Sequence, residues 1–188
     1  MFTPIFTEGV WDTTFSSDLK DYCDFVKEHN KGRIVSNKGG YQSEYLPLDE
    51  PVLQPLIQFV EKEAGTYSNS FKLKPSSFKI ESMWININGY KDHNEEHIHT
   101  GSFFSGVYYI HTPVNCGNIE FVRPNVYLMG EWQNDIFKEY NTLNSSFWQL
   151  PSRKDKCYLF PAYYKHKVEP NLNTEERYSL SFNISLLR

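Results

Sequence analysis

After residue 75 the apolar period of this 188-residue chain changes from helical to alternating, and it stays so to the end. An alternating period sends successive side chains to opposite faces of a pleated strand, and no helix satisfies it. The last segment is the most explicit. Arg177, Ser179, Ser181, Asn183 and Ser185 share one face, and Tyr178, Leu180, Phe182, Ile184 and Leu186 share the other. Solvent is the usual neighbour of such a polar face, but in a barrel-like fold the same face can line a wet cavity. Upstream, Phe78, Ile80, Trp84, Asn86 and Asn88 fall on one face, with Met83, Ile85 and Ile87 opposite; the Trp84 face is expected to be core. Further strand candidates lie at 105–111, 118–123, 156–161, 167–169 and 177–187, with Gly106 admitting a close backbone approach. Several short strands separated by turn residues suggest a sandwich or a closed barrel.

The first 75 residues read differently. Leu19, Tyr22, Phe25, Val26 and His29 recur at helical spacing behind Ser16-Ser17-Asp18, a cap signal, and the helix is expected to end near Gly32. Leu53, Leu56, Ile57, Val60 and Ala64 form a second helix, with Pro55 in its first turn and Gly65 as its stop. Residues 125–150 read as a polar insertion carrying Trp132, Phe137, Tyr140, Phe147 and Trp148. The expectation is one domain over 1–188, mainly β (α+β): a helical part at 1–75 and a jelly-roll core at 76–188, with the two N-terminal helices on one side.

Composition narrows the function classes. Apolar residues make up 39%, which excludes a disordered chain, and aromatics at 16% favour a β-rich, aromatic-lined interior. Net charge is -4 with no basic cluster, so no extended nucleic-acid surface is expected. No apolar run approaches the roughly 20 residues of a membrane span, and nothing resembles a signal peptide. Cys23, Cys116 and Cys157 stand singly, without a CxxC knuckle or an even disulfide set. They read as free thiols of a reducing cytoplasm.

The chemistry concentrates in few residues. His97 and His99, at i and i+2 of an extended segment, project to one face. His166, on a distant strand, can close a metal site over them. Arg177 and Ser179, on the next strand, can hold a dicarboxylate beside that metal. Few protein ligands on one triangular face, with positions left open, suit non-haem iron(II). His29, His93 and His111 read as ordinary surface or core histidines. Asn86 and Asn88 make either cross-strand hydrogen bonds or contacts to cosubstrate or substrate. The polar run 90–96 reads as a lid at the mouth.

These parts, taken with Gly39-Gly40-Tyr41-Gln42-Ser43, Trp84-Ile85-Asn86-Ile87-Asn88, Ser102-Phe103-Phe104-Ser105-Gly106-Val107-Tyr108-Tyr109, Gly117 with Phe121 and Pro124, Phe160-Pro161, His166-Lys167-Val168 and Arg177-Tyr178-Ser179-Leu180-Ser181-Phe182-Asn183, resemble the 2-oxoglutarate and Fe(II)-dependent oxygenases. The resemblance covers about residues 39–183 and is closest to short proteins of phages and marine bacteria. It implies a double-stranded β-helix, Fe(II) and 2-oxoglutarate, and a dioxygenase that hydroxylates a C–H bond, working in the cytoplasm (the host's, if a phage carries the gene). It also implies that His97 and His166 bind iron and that Arg177 with Ser179 binds the distal carboxylate of 2-oxoglutarate. Tyr108 is the expected second cosubstrate residue.

One position departs from the wider superfamily: His99 stands where an aspartate or glutamate is usual. Three histidines would add one positive charge and help retain an anionic cosubstrate. Halogenating relatives keep a small residue there, so halogenation is not favoured. Two alternatives stay open: His99 outside the ligand set, or a carboxylate from Glu95, Glu96 or Glu120. Two other functions also stay open, a non-enzymatic jelly-roll or virion-associated metal-binding module and a cupin-type three-histidine enzyme that does not use 2-oxoglutarate. The substrate and the oligomeric state are not readable.

Overall fold

A computed structural model describes residues 1, 3, 7–74, 76–124 and 136–187. The strands are β1 (Trp11–Thr14), β2 (Asn37–Lys38), β3 (Tyr41–Gln42), β4 (Ser77–Asn88), β5 (His93–His97), β6 (Phe104–His111), β7 (Ile119–Val122), β8 (Phe147–Leu150), β9 (Lys156–Pro161), β10 (His166–Val168) and β11 (Arg177–Leu187). The helices are α1 (Lys20–His29) and α2 (Gln54–Ser68). All strand pairs are antiparallel. One sheet runs β1-β9-β6-β11-β4-β3 and the other β2-β5-β10-β7-β8. Sequence neighbours are thus split between two facing sheets, as in a double-stranded β-helix.

Two apolar clusters hold the layers. The larger packs α1 and α2 on the outer face of the first sheet, through Leu19, Cys23, Leu56, Val60 and Ala64 against Ile85, Ile87, Leu180 and Phe182. The smaller lies between the sheets and joins Val107, Tyr109, Tyr158 and Phe160 to Ile119, with Phe121 and Val168 packed beside them. Where β4 and β11 face β5 and β10, the lining becomes polar, and the site lies there.

Several sequence expectations change. The helix α2 does not stop at Gly65 but runs to Ser68. A glycine inside a helix costs about 1 kcal/mol. Burying Tyr67, which the added turn brings to 4% exposure, recovers more than that. No side chain caps α1; Leu19 occupies the cap position. The β4 face assignment is half right. Asn183 pairs with Ser82 and Ile184 with Ile80, which leaves Glu81 as an extra residue, a β-bulge. The bulge reverses the alternation, so Phe78 and Ile80 join Met83, Ile85 and Ile87 against the helices. Trp84, Asn86 and Asn88 remain on the other face, which lines the cleft rather than the core. The expected lid at 90–96 is largely strand β5. The expected insertion contains β8, paired with β7; Trp132 lies outside the described residues. No described helix is long and apolar enough to cross a membrane.

Candidate metal centre

His97 ends β5 and His166 begins β10, and the two are Cα partners in the ladder. His99 lies two residues further on, and its backbone N–H donates to Ala162 O at 2.9 Å. That bond ties the segment to the turn before β10. The three imidazoles offer ligand nitrogens within 4.8 Å of one another. His99 Nε2 and His166 Nε2 are 3.4 Å apart. Two nitrogens each about 2.1 Å from one ion, at an angle between square and tetrahedral, must be roughly 3–3.5 Å apart.

The ring orientations are set by the backbone. His97 Nδ1 lies 2.6 Å from Glu95 O and His166 Nδ1 lies 2.8 Å from Tyr164 O. A carbonyl only accepts, so the proton sits on Nδ1 and the lone pair on Nε2, aimed at the cluster. Burial depresses the pKa of each. His99 falls to about 4 through burial and the neighbouring His97. His166 falls well below its ordinary value through burial and then His97, and His97 falls through burial against the opposing help of Glu95 O. All three are therefore neutral near pH 7, the form that binds metal. Phe160 stands edge-on to His166 at 4.7 Å and Trp84 lies 5.7 Å from His99, giving the cluster an aromatic wall.

No described carboxylate joins them. Glu95 pairs with Lys38 at 3.3 Å and Glu96 with Lys165 at 3.1 Å. Glu120 faces away, between Lys167 at 2.9 Å and Gln149 at 2.9 Å. The cluster is histidine-only among the described residues.

The same cleft contains Arg177, 1% exposed. One guanidinium nitrogen donates to Asn88 Oδ1 at 3.0 Å. The other reaches the carbonyls of Cys116, Gly117 (3.4 Å) and Glu169 (3.3 Å). These partners are neutral, so no carboxylate is bonded to the cation, and Glu169 acts on it only from a distance. Burial lowers its pKa, but a guanidinium starts high enough to stay charged. A buried, unpaired charge is costly, and an anionic ligand in the cleft removes that cost.

Ser179 shares the face of Arg177 and pairs across the ladder with Asn86. Asn86 donates to Ser181 Oγ at 3.0 Å, while its Oδ1 is buried without a partner. Tyr108 does not reach this group. It lies under the helices, accepting from Ser17 N and donating to Ser17 O, both at 3.1 Å. Its neighbour Tyr109 faces the cleft instead, because it pairs with Ser179 while Tyr108 pairs with Leu180. The Tyr109 hydroxyl is buried beside the Ser152 hydroxyl without a well-formed hydrogen bond, and the Arg177 charge and then Ser152 partly offset the rise that burial gives its pKa. Sequence reasoning missed Tyr109. Alternation separates the two tyrosines but does not say which faces in; only pairing with the Arg177 strand decides.

The sequence matches the family described as "Putative 2OG-Fe(II) oxygenase" over residues 82–183, more than half of the chain. The chain belongs to that family. This oxygenase therefore uses Fe(II) and 2-oxoglutarate. No curated protein matches it in sequence. Solved structures share its fold at low identity. A Pseudomonas putida prolyl-4-hydroxylase matches with a TM-score of 0.67 at 11% identity, over 95% of this chain and 93% of the other. A viral collagen prolyl hydroxylase from Paramecium bursaria Chlorella virus-1, solved as a 2-oxoglutarate complex, gives 0.56 at 13%, over 95% and 96%. HygX from Streptomyces hygroscopicus, solved with nickel, 2-oxoglutarate and hygromycin B, gives 0.60 at 11%, over 95% and 83%. The oxygenase thus has the jelly-roll fold of these enzymes.

Proposed function

We propose that this oxygenase is a hydroxylase whose iron(II) is held by Nε2 of His97, His99 and His166, with 2-oxoglutarate anchored by Arg177. When bound, the metal supplies the activation of dioxygen, with 2-oxoglutarate leaving as succinate and carbon dioxide and one oxygen atom passing to the substrate. The protein's residues bind, orient and exclude water. Three neutral imidazoles leave the ion its full charge, which favours a dianionic cosubstrate. Arg177 offers a planar fork suited to the distal carboxylate. Ser179 and Tyr109 flank it with hydroxyls, and Asn86 lies on the same face for the cosubstrate or the substrate. The Phe160 and Trp84 rings keep water from the reacting groups.

The observation that carries this reading is the buried guanidinium of Arg177, hydrogen-bonded only to neutral groups and lining the same cleft as three neutral histidines. A structural metal site needs no such clamp, and a cupin-type enzyme without 2-oxoglutarate leaves the cation unexplained. Three buried free cysteines favour a reducing cytoplasm. Succinate formation under air, followed by NMR with and without a chelator, tests the reading. Slow formation without substrate, stopped by the chelator, is expected. Iron binding without succinate, alone and across candidate substrates, counts against it.

A further inference from the structure

Beside Trp84 of the cleft wall stands a second arginine that none of the chemistry above uses. Arg33 stacks on Tyr45, with its guanidinium carbon 4.0 Å from the ring centroid, and lies 6.0 Å from Trp84. Tyr45 and Trp84 are themselves 6.0 Å apart, and Trp84 lies 5.7 Å from His99. Two ring contacts therefore connect this guanidinium to the metal cluster. Its backbone is fixed as well, since Arg33 N–H donates to Gln42 O at 2.8 Å.

Arg33 is positioned but unpaired. Among the described residues it forms no ion pair. Its Nε is buried and has no acceptor. An unmade bond at a buried donor is costly, and stacking supplies no acceptor for it. Acceptors without donors lie in the adjoining ladder. Gln42 and Asn86 pair directly in β3 and β4, are 3% and 5% exposed, and each leaves a buried amide oxygen unpartnered. Ile34 and Val35, at 86% and 65% exposure, stand between Arg33 and Ser36, which lines the cleft.

We propose that Arg33 is a substrate-recognition residue, and that this oxygenase acts on a molecule whose carboxylate pairs with it beside Trp84. The proposal rests on the reading of the cleft as an oxygenase site. A carboxylate supplies the charge partner that Arg33 lacks and fits the guanidinium fork. The aromatic stack holds the fork in place, so little ordering is lost on binding. Such a carboxylate belongs either to a free small acid or to an acidic residue of a polypeptide.

Protein loaded with zinc(II) as a redox-inert ion and saturated with 2-oxoglutarate is the material for the test. Calorimetry of 2-oxoglutarate binding to this wild-type protein checks the oxygenase reading separately. The Arg33 Nε–H and Trp84 indole N–H resonances are then followed at fixed ionic strength. Benzoate is compared with benzamide, and an Ala-Glu decapeptide with its Ala-Gln counterpart. The acids are expected to shift both resonances and their amides to shift neither; the benzoate and peptide arms separate the two sources. In Arg33→Gln the Trp84 response should weaken about tenfold or more, with partial recovery in Arg33→Lys. The assignment is overturned if neither acid shifts them, if the amides act equally, or if Arg33→Gln responds as wild type does.

Discussion

His97 and His166 face each other across the β5–β10 ladder, their ring centroids 4.4 Å apart, each with Nδ1 held by a carbonyl two residues before it. The pair forms a pre-oriented edge of the proposed metal site, to which His99 would add the third nitrogen. His97→Ala and His166→Ala should each abolish iron binding at micromolar metal. His99→Asp should still bind iron but hold 2-oxoglutarate more weakly, because the added carboxylate lowers the net charge of the iron centre by one. Metal titration followed by cosubstrate titration checks both; unchanged iron affinity in His99→Ala would remove His99 from the ligand set.

The depressed histidines make a pH prediction for the metal-free protein. Each folded pKa lies below its unfolded value, so the unfolded chain binds more protons as pH falls. The stability they contribute is present above about pH 6.5 and is lost as pH falls toward 4, where His99 titrates. Thermal unfolding between pH 7.5 and 4.5 should show a falling Tm, and a His97/His99/His166 triple alanine variant should show a smaller fall. Equal falls would place the pH dependence elsewhere.

Tyr108 and Tyr109 should separate stability from cosubstrate binding. Tyr108→Phe removes the bonds to Ser17 and should cost on the order of 1 kcal/mol of stability with 2-oxoglutarate affinity unchanged. Tyr109→Phe should largely spare stability, since its hydroxyl makes no well-formed hydrogen bond in the fold, and weaken 2-oxoglutarate. Paired denaturation and calorimetry decide, and the reverse pattern would return the role to Tyr108.

Gly106 is a packing requirement. A Cβ there meets the Phe182 ring and the Tyr158 carbonyl, and neither the packed ring nor the backbone can retreat cheaply. Gly106→Ala should cost about 1–3 kcal/mol, read as a lowered denaturation midpoint. Stability equal to wild type would show that the Phe182 ring and the flanking strands of this sheet can give way there.

The last strand and the histidine and arginine positions are the most legible from sequence. The alternation of β11 and the spacing of His97, His99, His166 and Arg177 follow from local periodicity, and both appear in the fold. Long-range pairing was not legible. The extra residue Glu81 reverses a face, and nothing local marks it. The polar strand β5, His-Asn-Glu-Glu-His, has no apolar alternation because it carries the site, so it read as a lid. Tyr109 and Arg33 depend on what lies across a ladder or beyond a turn, which a single strand does not encode.

The most direct test is an anaerobic titration of Fe(II)-loaded protein with 2-oxoglutarate, in wild type and Arg177→Ala. Wild type should develop the visible charge-transfer band of the chelate. In Arg177→Ala the band should need far more cosubstrate, in line with a loss of about 2–5 kcal/mol for truncating one side of a buried charge pair. No band in wild type, or equal affinity in the two proteins, would contradict the proposed site.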